Sequence, residues 1–242
     1  MIAVQASVEE YVQSGHRNVE GWFSGNQLDM LLIADKLQKR LGIGGAVVEI
    51  GVHHGRLFIM MMLLRRAQEK AVAMDVFDLQ EFNTDYSGLG DLNTFLANID
   101  RHVRSRDDLE IVKADSMQLE PAEILRVTKG QRFRMFSVDG SHTTHNTAND
   151  LRVAHRLLQQ GGMIIVDDYF NGGYPMVAEG VARFMILEPA INIVPVLAGA
   201  NKVVFTTKSH HREYLEAYRE MKIDGDGWLT EREFFGVPCL CF

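Results

Sequence analysis

Phe136-Ser137-Val138-Asp139-Gly140-Ser141-His142 and Gly161-Gly162-Met163-Ile164-Ile165-Val166-Asp167-Asp168-Tyr169, whose Asp167 lies 28 residues after Asp139, decide how this chain is read. Each is a short apolar run whose polar residues gather at its C-terminal end. That pattern predicts two fully buried parallel strands, consecutive in the chain, delivering carboxylates to the rim of a sheet. Ligands of open α/β sheets bind at that rim. Three aspartates brought together there would repel one another, and a hard divalent cation such as Mg²⁺ is the common way to hold them.

Working outward, Ala46–Ile50 and Ala71–Val76 read as two earlier buried strands, Leu109–Ser116 as a third, and Phe133–Val138 and Met163–Val166 as the fourth and fifth. Between them lie predicted helices at 57–70, 92–103, 121–128 and 147–160, and a long polar loop at 78–91. Alternation of this kind implies an α/β fold: a doubly wound Rossmann-like sheet, mostly parallel, with right-handed crossovers and helices on both faces. A helix at 177–187 is followed by Ile191–Leu197 and Lys202–Thr207 around Ala198-Gly199-Ala200-Asn201, a hairpin signal that adds an antiparallel C-terminal strand pair. The expected organisation is a helical N-terminal cap or lid over 1–45, a main domain over 46–206 and a C-terminal extension over 207–242.

The net charge of −7 and the absence of a dense Lys/Arg tract argue against nucleic acid as the main partner and favour a small molecule. The only two cysteines, Cys239 and Cys241, fall within the last four residues, so no disulfide framework or cysteine zinc site is expected. No basic leader with an apolar run opens the chain, and no window approaches the roughly 18 apolar residues of a membrane span, so a cytoplasmic protein without membrane contact is expected. A homodimer is expected only because symmetric dimers are the commonest assembly.

The turn Glu49-Ile50-Gly51-Val52-His53-His54-Gly55 follows the first strand, where glycines let backbone amides approach a ligand at a helix N-terminus. It is not a G-x-G-x-x-G turn: the glycine that lets a pyrophosphate sit against the backbone is Val52 or His53 here, which disfavours a dinucleotide-dependent dehydrogenase. Glu49 beside it suits a cationic or amine-bearing ligand. Asp75, ending the second strand, is placed to accept hydrogen bonds from ribose hydroxyls.

Taken together, Val48-Glu49-Ile50-Gly51-x3-Gly55, Asp75, Ala114-Asp115-Ser116, Val138-Asp139-Gly140-Ser141-His142 and Gly161-Gly162-x4-Asp167-Asp168 resemble the class I S-adenosylmethionine-dependent methyltransferases. More narrowly, the set is similar to the metal-dependent O-methyltransferases of the catechol and the sugar- and macrolide-tailoring types, over roughly residues 20 to 206. The resemblance implies that Glu49, Gly51 and Gly55 hold the amino acid end of the cofactor, Asp75 its ribose, and Asp115 and Ser116 the adenine side, with Asp139 at the border of that site. It implies Asp139, Asp167 and Asp168 as ligands of Mg²⁺ or another divalent cation. His142 falls where catechol-type enzymes carry a lysine and some sugar-type enzymes a histidine, which moves the expected acceptor away from catechol. An imidazole, with an ordinary pKa of about 6.5, is a suitable base for a hydroxyl acidified by a metal. The implied reaction is methyl transfer to a hydroxyl of a small molecule with adjacent hydroxyls, a sugar or natural-product scaffold.

Alternatives accompany each motif. Asp167-Asp168 could be a helix cap and its solvated neighbour, and His142 could cap the Thr143-Thr144 turn. His145 is a lesser candidate for the base. For His53 and His54, hydrogen bonding or exposure outweighs a metal role as the expectation, and Met60–Met62 reads as core. Tyr169, Phe170 and Tyr174 could wall a substrate pocket, and Trp22 and Phe23 could belong to a lid. The stretch from Lys222 to Glu233 resembles an EF-hand loop, but Lys222 puts a cation where a ligand is required. Cys239-Leu240-Cys241-Phe242 matches a prenylation box only superficially. A hydroxylase-like metal enzyme on the same scaffold and a noncatalytic cofactor-binding module remain the competing functions.

Overall fold

A computed structural model describes residues 2–23, 25–83, 85–224 and 227–242, with residues 2–7 described as backbone only. Helices α1 (Ile2–Gln13) and α2 (Gly25–Arg40) precede the first strand. The chain then runs β1 (Ala46–Ile50), α3 (Arg56–Leu64), β2 (Ala71–Asp75), α4 (Leu92–His102), β3 (Leu109–Lys113), α5 (Pro121–Val127), β4 (Phe133–Val138), α6 (Thr144–Leu157) and β5 (Leu158–Val166). It closes with α7 (Pro175–Leu187), β6 (Ile193–Gly199), β7 (Lys202–Thr207), α8 (His211–Tyr218), β8 (Thr230–Phe234) and β9 (Val237–Cys241).

The strands form one sheet in the order β3-β2-β1-β4-β5-β7-β6-β9-β8. The first five are mutually parallel, and β7 pairs antiparallel with both β5 and β6, as the hairpin signal predicts. Strand order reverses between β1 and β4, and a doubly wound sheet opens its ligand crevice at such a switch point.

The buried strands are apolar on both faces because helices cover both. Val47, Ala71, Ala73, Met135 and Ile165 pack against α2, α3, α4 and α8, while Ala46, Val48, Val72, Phe136 and Ile164 pack against α5, α6 and α7. Helix α3 buries every residue from Leu57 to Leu64, including the three methionines read as core.

Some boundaries move for identifiable reasons. Helix α3 ends at Leu64 rather than near 70, because Arg65 turns extended and the Glu69 carboxylate accepts from the Arg66 backbone while holding the buried Arg134. Strand β5 begins at Leu158, five residues earlier than read, since α6 passes directly into it. The C-terminal extension supplies two further strands: β9 pairs parallel with β6, and β8 folds back on β9 through Phe235 and Gly236, both at positive φ. Gly225 and Asp226 of the EF-hand-like stretch lie outside the described residues, and Thr230 to Glu233 belong to β8. Cys239, in β9, is buried in the core. Among the described residues no helix is long and apolar enough to cross a membrane.

Candidate active site

The C-terminal ends of β1, β2, β4 and β5 surround a cavity of about 660 Å³. Glu49, Gly51, Asp75, Asp115 and Ser116 line one part of it, and Asp139, His142, Asp167 and Asp168 the other. Every residue predicted from the sequence for this site lines the cavity except Gly55, whose part is in the backbone.

The chain can turn after β1 only with glycine at position 51. Its φ is +82°, and a Cβ there would lie 1.7 Å from the Asp139 carbonyl oxygen. Gly55 takes φ +91° at the start of α3, with Phe95 occupying the space a side chain would need. Gly51 brings the β1 turn against the β4 rim, and the Gly55 amide closes the turn on the Val52 carbonyl. The His53 amide donates to Asp75 at 2.8 Å and the Phe77 amide donates to the same carboxylate at 2.6 Å, which fixes Asp75 at the cavity wall. Asp115 accepts from the Met117 amide at 2.9 Å and so caps the short turn that presents Ser116.

Glu49 is 2% exposed, and its Oε2 has no hydrogen-bond partner. Burial, opposed by Lys202 and reinforced by Asp167 and Asp75, pushes its pKa up to about 8. A buried carboxyl in that condition has too little positive charge around it, since Lys202 is shared with Asp167 and Asp139. The S-adenosylmethionine ammonium is a group of that kind, so the donor set and the glycine cradle fit the cofactor.

The second half of the cavity is built around His142, held immediately before α6 by the Thr143 cap. Its Nδ1 and its backbone amide both lie 2.7 Å from one carboxylate oxygen of Asp85, in the loop after β2. Its Nε2 lies 2.7 Å from Asp168, and the Tyr174 ring stacks on it at 4.0 Å. Burial disfavours charge on the ring, but the hydrogen bonds to Asp168 and Asp85 outweigh it and raise the His142 pKa. Asp168 sits at φ +57°, which turns its carboxylate towards His142, Asn171 and Asn201. Although burial opposes ionisation, those hydrogen bonds hold its pKa down at about 2.

Asp139, His142 and Asp168 bring ligand atoms within 4.8 Å of one another. Asp139 is partly buried, and desolvation together with the neighbouring Asp167 raises its pKa well above the carboxylate range, against the pull of Lys202. A hard cation would relieve that repulsion, and two carboxylates at its edge are suitable donors. Asp167 stands apart from this group: it pairs with the buried ammonium of Lys202 and accepts from the Asp168 amide. The residues therefore fit a divalent cation at Asp139 and Asp168, with Asp167 already engaged by a positive charge of the protein itself.

Lys202, Asp85 and Asn201 were not legible in the sequence as site residues. Lys202 heads β7 and enters the site because that strand runs antiparallel beside β5. Asp85 belongs to the polar loop whose length marks it as functional, but no local pattern distinguishes it from Asp78 or Asp91. Asp78 instead pairs with Lys113, and Asp91 caps α4. Tyr174 does wall the pocket, whereas Tyr169 and Phe170 pack edge-to-face on each other.

A family model described as a methyltransferase domain matches residues 48–169, half of the chain. No curated protein matches the chain significantly in sequence. Among solved structures, the chain resembles the O-methyltransferase NovP at 14% identity and a TM-score of 0.60, covering 76% of this chain and 80% of that one. It resembles CalS11, a TDP-rhamnose 3′-O-methyltransferase of calicheamicin biosynthesis, at 18% identity and a TM-score of 0.50, covering 74% and 78%. A Podospora anserina methyltransferase with S-adenosylhomocysteine bound aligns at 13% identity and a TM-score of 0.55, covering 84% and 88%. At these identities the structural likeness speaks for the fold, and the family match, which spans β1 to the acid pair after β5, speaks for the class. The chain belongs to the methyltransferase-domain family.

Proposed function

We propose that this enzyme methylates a hydroxyl of a small molecule bearing adjacent hydroxyls, a sugar or natural-product scaffold, and that a divalent cation such as Mg²⁺ assists it. The reading is carried by one observation: the buried Glu49, with its unpartnered Oε2, and the Asp139–His142–Asp168 cluster share a single cavity. A cofactor site alone would not require the second cluster. The O-methyltransferase names of NovP and CalS11 agree with it.

S-Adenosylmethionine supplies an already activated sulfonium methyl group, so the protein contributes alignment, desolvation and proton transfer. Glu49 receives the ammonium group, with the Gly51 turn giving the backbone room to approach. Asp75 faces the ribose hydroxyls, and Asp115 and Ser116 flank the adenine. Asp139, Asp167 and Asp168 are the proposed metal ligands, with Lys202 competing for Asp167; the cation would acidify a bound hydroxyl. His142 would accept the hydroxyl proton at Nε2 once Asp168 turns from that nitrogen to the cation, while Asp85 fixes the opposite nitrogen and Tyr174 stacks on the ring.

Calorimetric titration of S-adenosylhomocysteine into chelator-treated enzyme tests the first half. Titration of Mg²⁺ into wild type and Asp168→Ala tests the second. Saturable nucleoside binding without metal, with a Mg²⁺ heat that vanishes in the variant, supports the two-part site; screening vicinal diols by mass spectrometry then finds the acceptor. A Mg²⁺ heat unchanged in Asp168→Ala would contradict the metal reading.

A further inference from the structure

A second group of metal-ligating side chains stands on the other side of the cofactor turn. Glu20, His53 and His54 bring one ligand atom each within 4.8 Å of one another. The two imidazoles are adjacent in sequence, yet they stack with centroids 3.8 Å apart. His53 reaches this arrangement at φ +51°, a left-handed conformation that a residue with a Cβ seldom adopts without a reason. Both Nδ1 atoms are buried and neither makes a hydrogen bond. His54 is 9% exposed, and its Nδ1 is 3.2 Å from the Glu20 carboxylate without hydrogen-bond geometry.

Two buried imidazole nitrogens without hydrogen bonds, beside one carboxylate, form a costly arrangement unless something binds it. Protonating both rings would set two positive charges face to face. Neutral imidazole nitrogens with one carboxylate suit Zn²⁺, Co²⁺, Ni²⁺ or Cu²⁺, in contrast to the all-oxygen preference of Mg²⁺. The ligands also come from two segments that need joining. Glu20 leads the stretch through Phe23, which rests on α3 through Arg56: the guanidinium donates to the Gly21 carbonyl and lies over the Phe23 ring. Trp22, 75% exposed, tilts over His53 with centroids 5.5 Å apart.

We propose that Glu20, His53 and His54 form a site for a borderline transition-metal cation such as Zn²⁺, which clasps the segment 20–23 onto the cofactor turn. Three protein ligands leave a coordination position for water. Glu20 and His53 both line the cavity, so a cation here stands at its edge, apart from the Asp139–Asp168 cluster. The proposal is independent of the acceptor and of the Mg²⁺ reading.

The test is calorimetric titration of Zn²⁺ into the chelator-treated full chain in excess Mg²⁺, using wild type, Asp168→Ala, Glu20→Ala and His54→Gln. Glu20 is exposed, so Glu20→Ala leaves the core packing intact even if His54→Gln disturbs the turn. The expected result is one Zn²⁺ per chain in wild type and Asp168→Ala, weakened by at least about 10- to 100-fold in Glu20→Ala and His54→Gln. Co²⁺ bound in place of Zn²⁺ should show visible ligand-field absorption that Glu20→Ala alters. Absence of Zn²⁺ binding to wild type, or equal binding by Glu20→Ala, or loss of binding in Asp168→Ala alone, would overturn the proposal.

Discussion

At the N-terminal end of β4, Arg134 is fully buried and donates to both oxygens of Glu69, to Gln38 and to the Leu64 carbonyl, with Asp35 at 3.1 Å. At the C-terminal end of the same strand, Asp139 faces Glu49, Asp167 and Asp168, with Lys202 as the buried cation among them. Both ends bury charge, but only the first gives every nitrogen of its central group a hydrogen-bond acceptor, with Asp35 Oδ1 beside it the atom left unbonded. A satisfied buried network holds the fold in one arrangement; an unsatisfied one is a place for a ligand. The contrast also explains why a single strand can anchor α2 and α3 at one end and serve chemistry at the other.

The largest effect that would break this comparison is on stability. Replacing Arg134 by Met removes the fully buried cation shared by Glu69 and Asp35, leaving them only the more exposed Lys39 and Arg66, and should cost about 3–5 kcal/mol in denaturant unfolding. The protein that remains folded should still bind S-adenosylhomocysteine. The mirror-image change, Glu49→Gln, should leave stability unchanged or raised, yet weaken S-adenosylhomocysteine binding by about tenfold or more, the loss expected for a charge-assisted contact of 1.5–3 kcal/mol. If Glu49→Gln unfolded the protein and left binding intact, the two ends would not differ in kind.

A smaller effect sharpens the comparison through pH. A carboxyl whose pKa rises on folding binds its proton more tightly in the folded state, so stability falls as pH climbs from the unfolded value of about 4.3 towards the folded one. Glu49, with its folded pKa of about 8, should make wild type lose melting temperature between pH 5 and 8 more steeply than Glu49→Gln. Asp150, raised by burial to about 7, acts in the same direction in both proteins and cancels from the difference. The smallest expected effect is at Asp85→Asn, which keeps the loop's shape but weakens the hold on His142. It should lower kcat about tenfold in a methyl-transfer assay with KM for S-adenosylmethionine little changed, as suits a residue acting through its neighbour.

The fold was largely legible because strands covered on both faces read as unbroken apolar runs, as Ala46–Ile50 and Phe133–Val138 do. Strand β8 was not, because Thr-Glu-Arg-Glu-Phe lies at the sheet edge, exposed along most of its length, and its polar residues imitate a calcium loop. The Phe235-Gly236 turn between β8 and β9 was the available signal. Within the site, acids ending strands are visible because β-strand chemistry puts them at the rim. Lys202 and Asp85 are visible only in three dimensions, since one arrives on a strand 35 residues after Asp167 and the other on a loop 57 residues before His142. Reading His53 and His54 as ordinary polar residues of a turn likewise missed their stacking, which depends on a backbone conformation that residue type does not announce.

The most direct test of the central claim is the proton balance of S-adenosylhomocysteine binding at pH 7, measured by calorimetry in buffers of different ionisation enthalpy. If Glu49 awaits the ligand's ammonium group, it must give up its proton on binding, and wild type should release about one proton per site while Glu49→Gln releases none. Equal proton release by both proteins, with equal affinity, would contradict the account and leave Glu49 as a buried carboxyl with no part in the cofactor site.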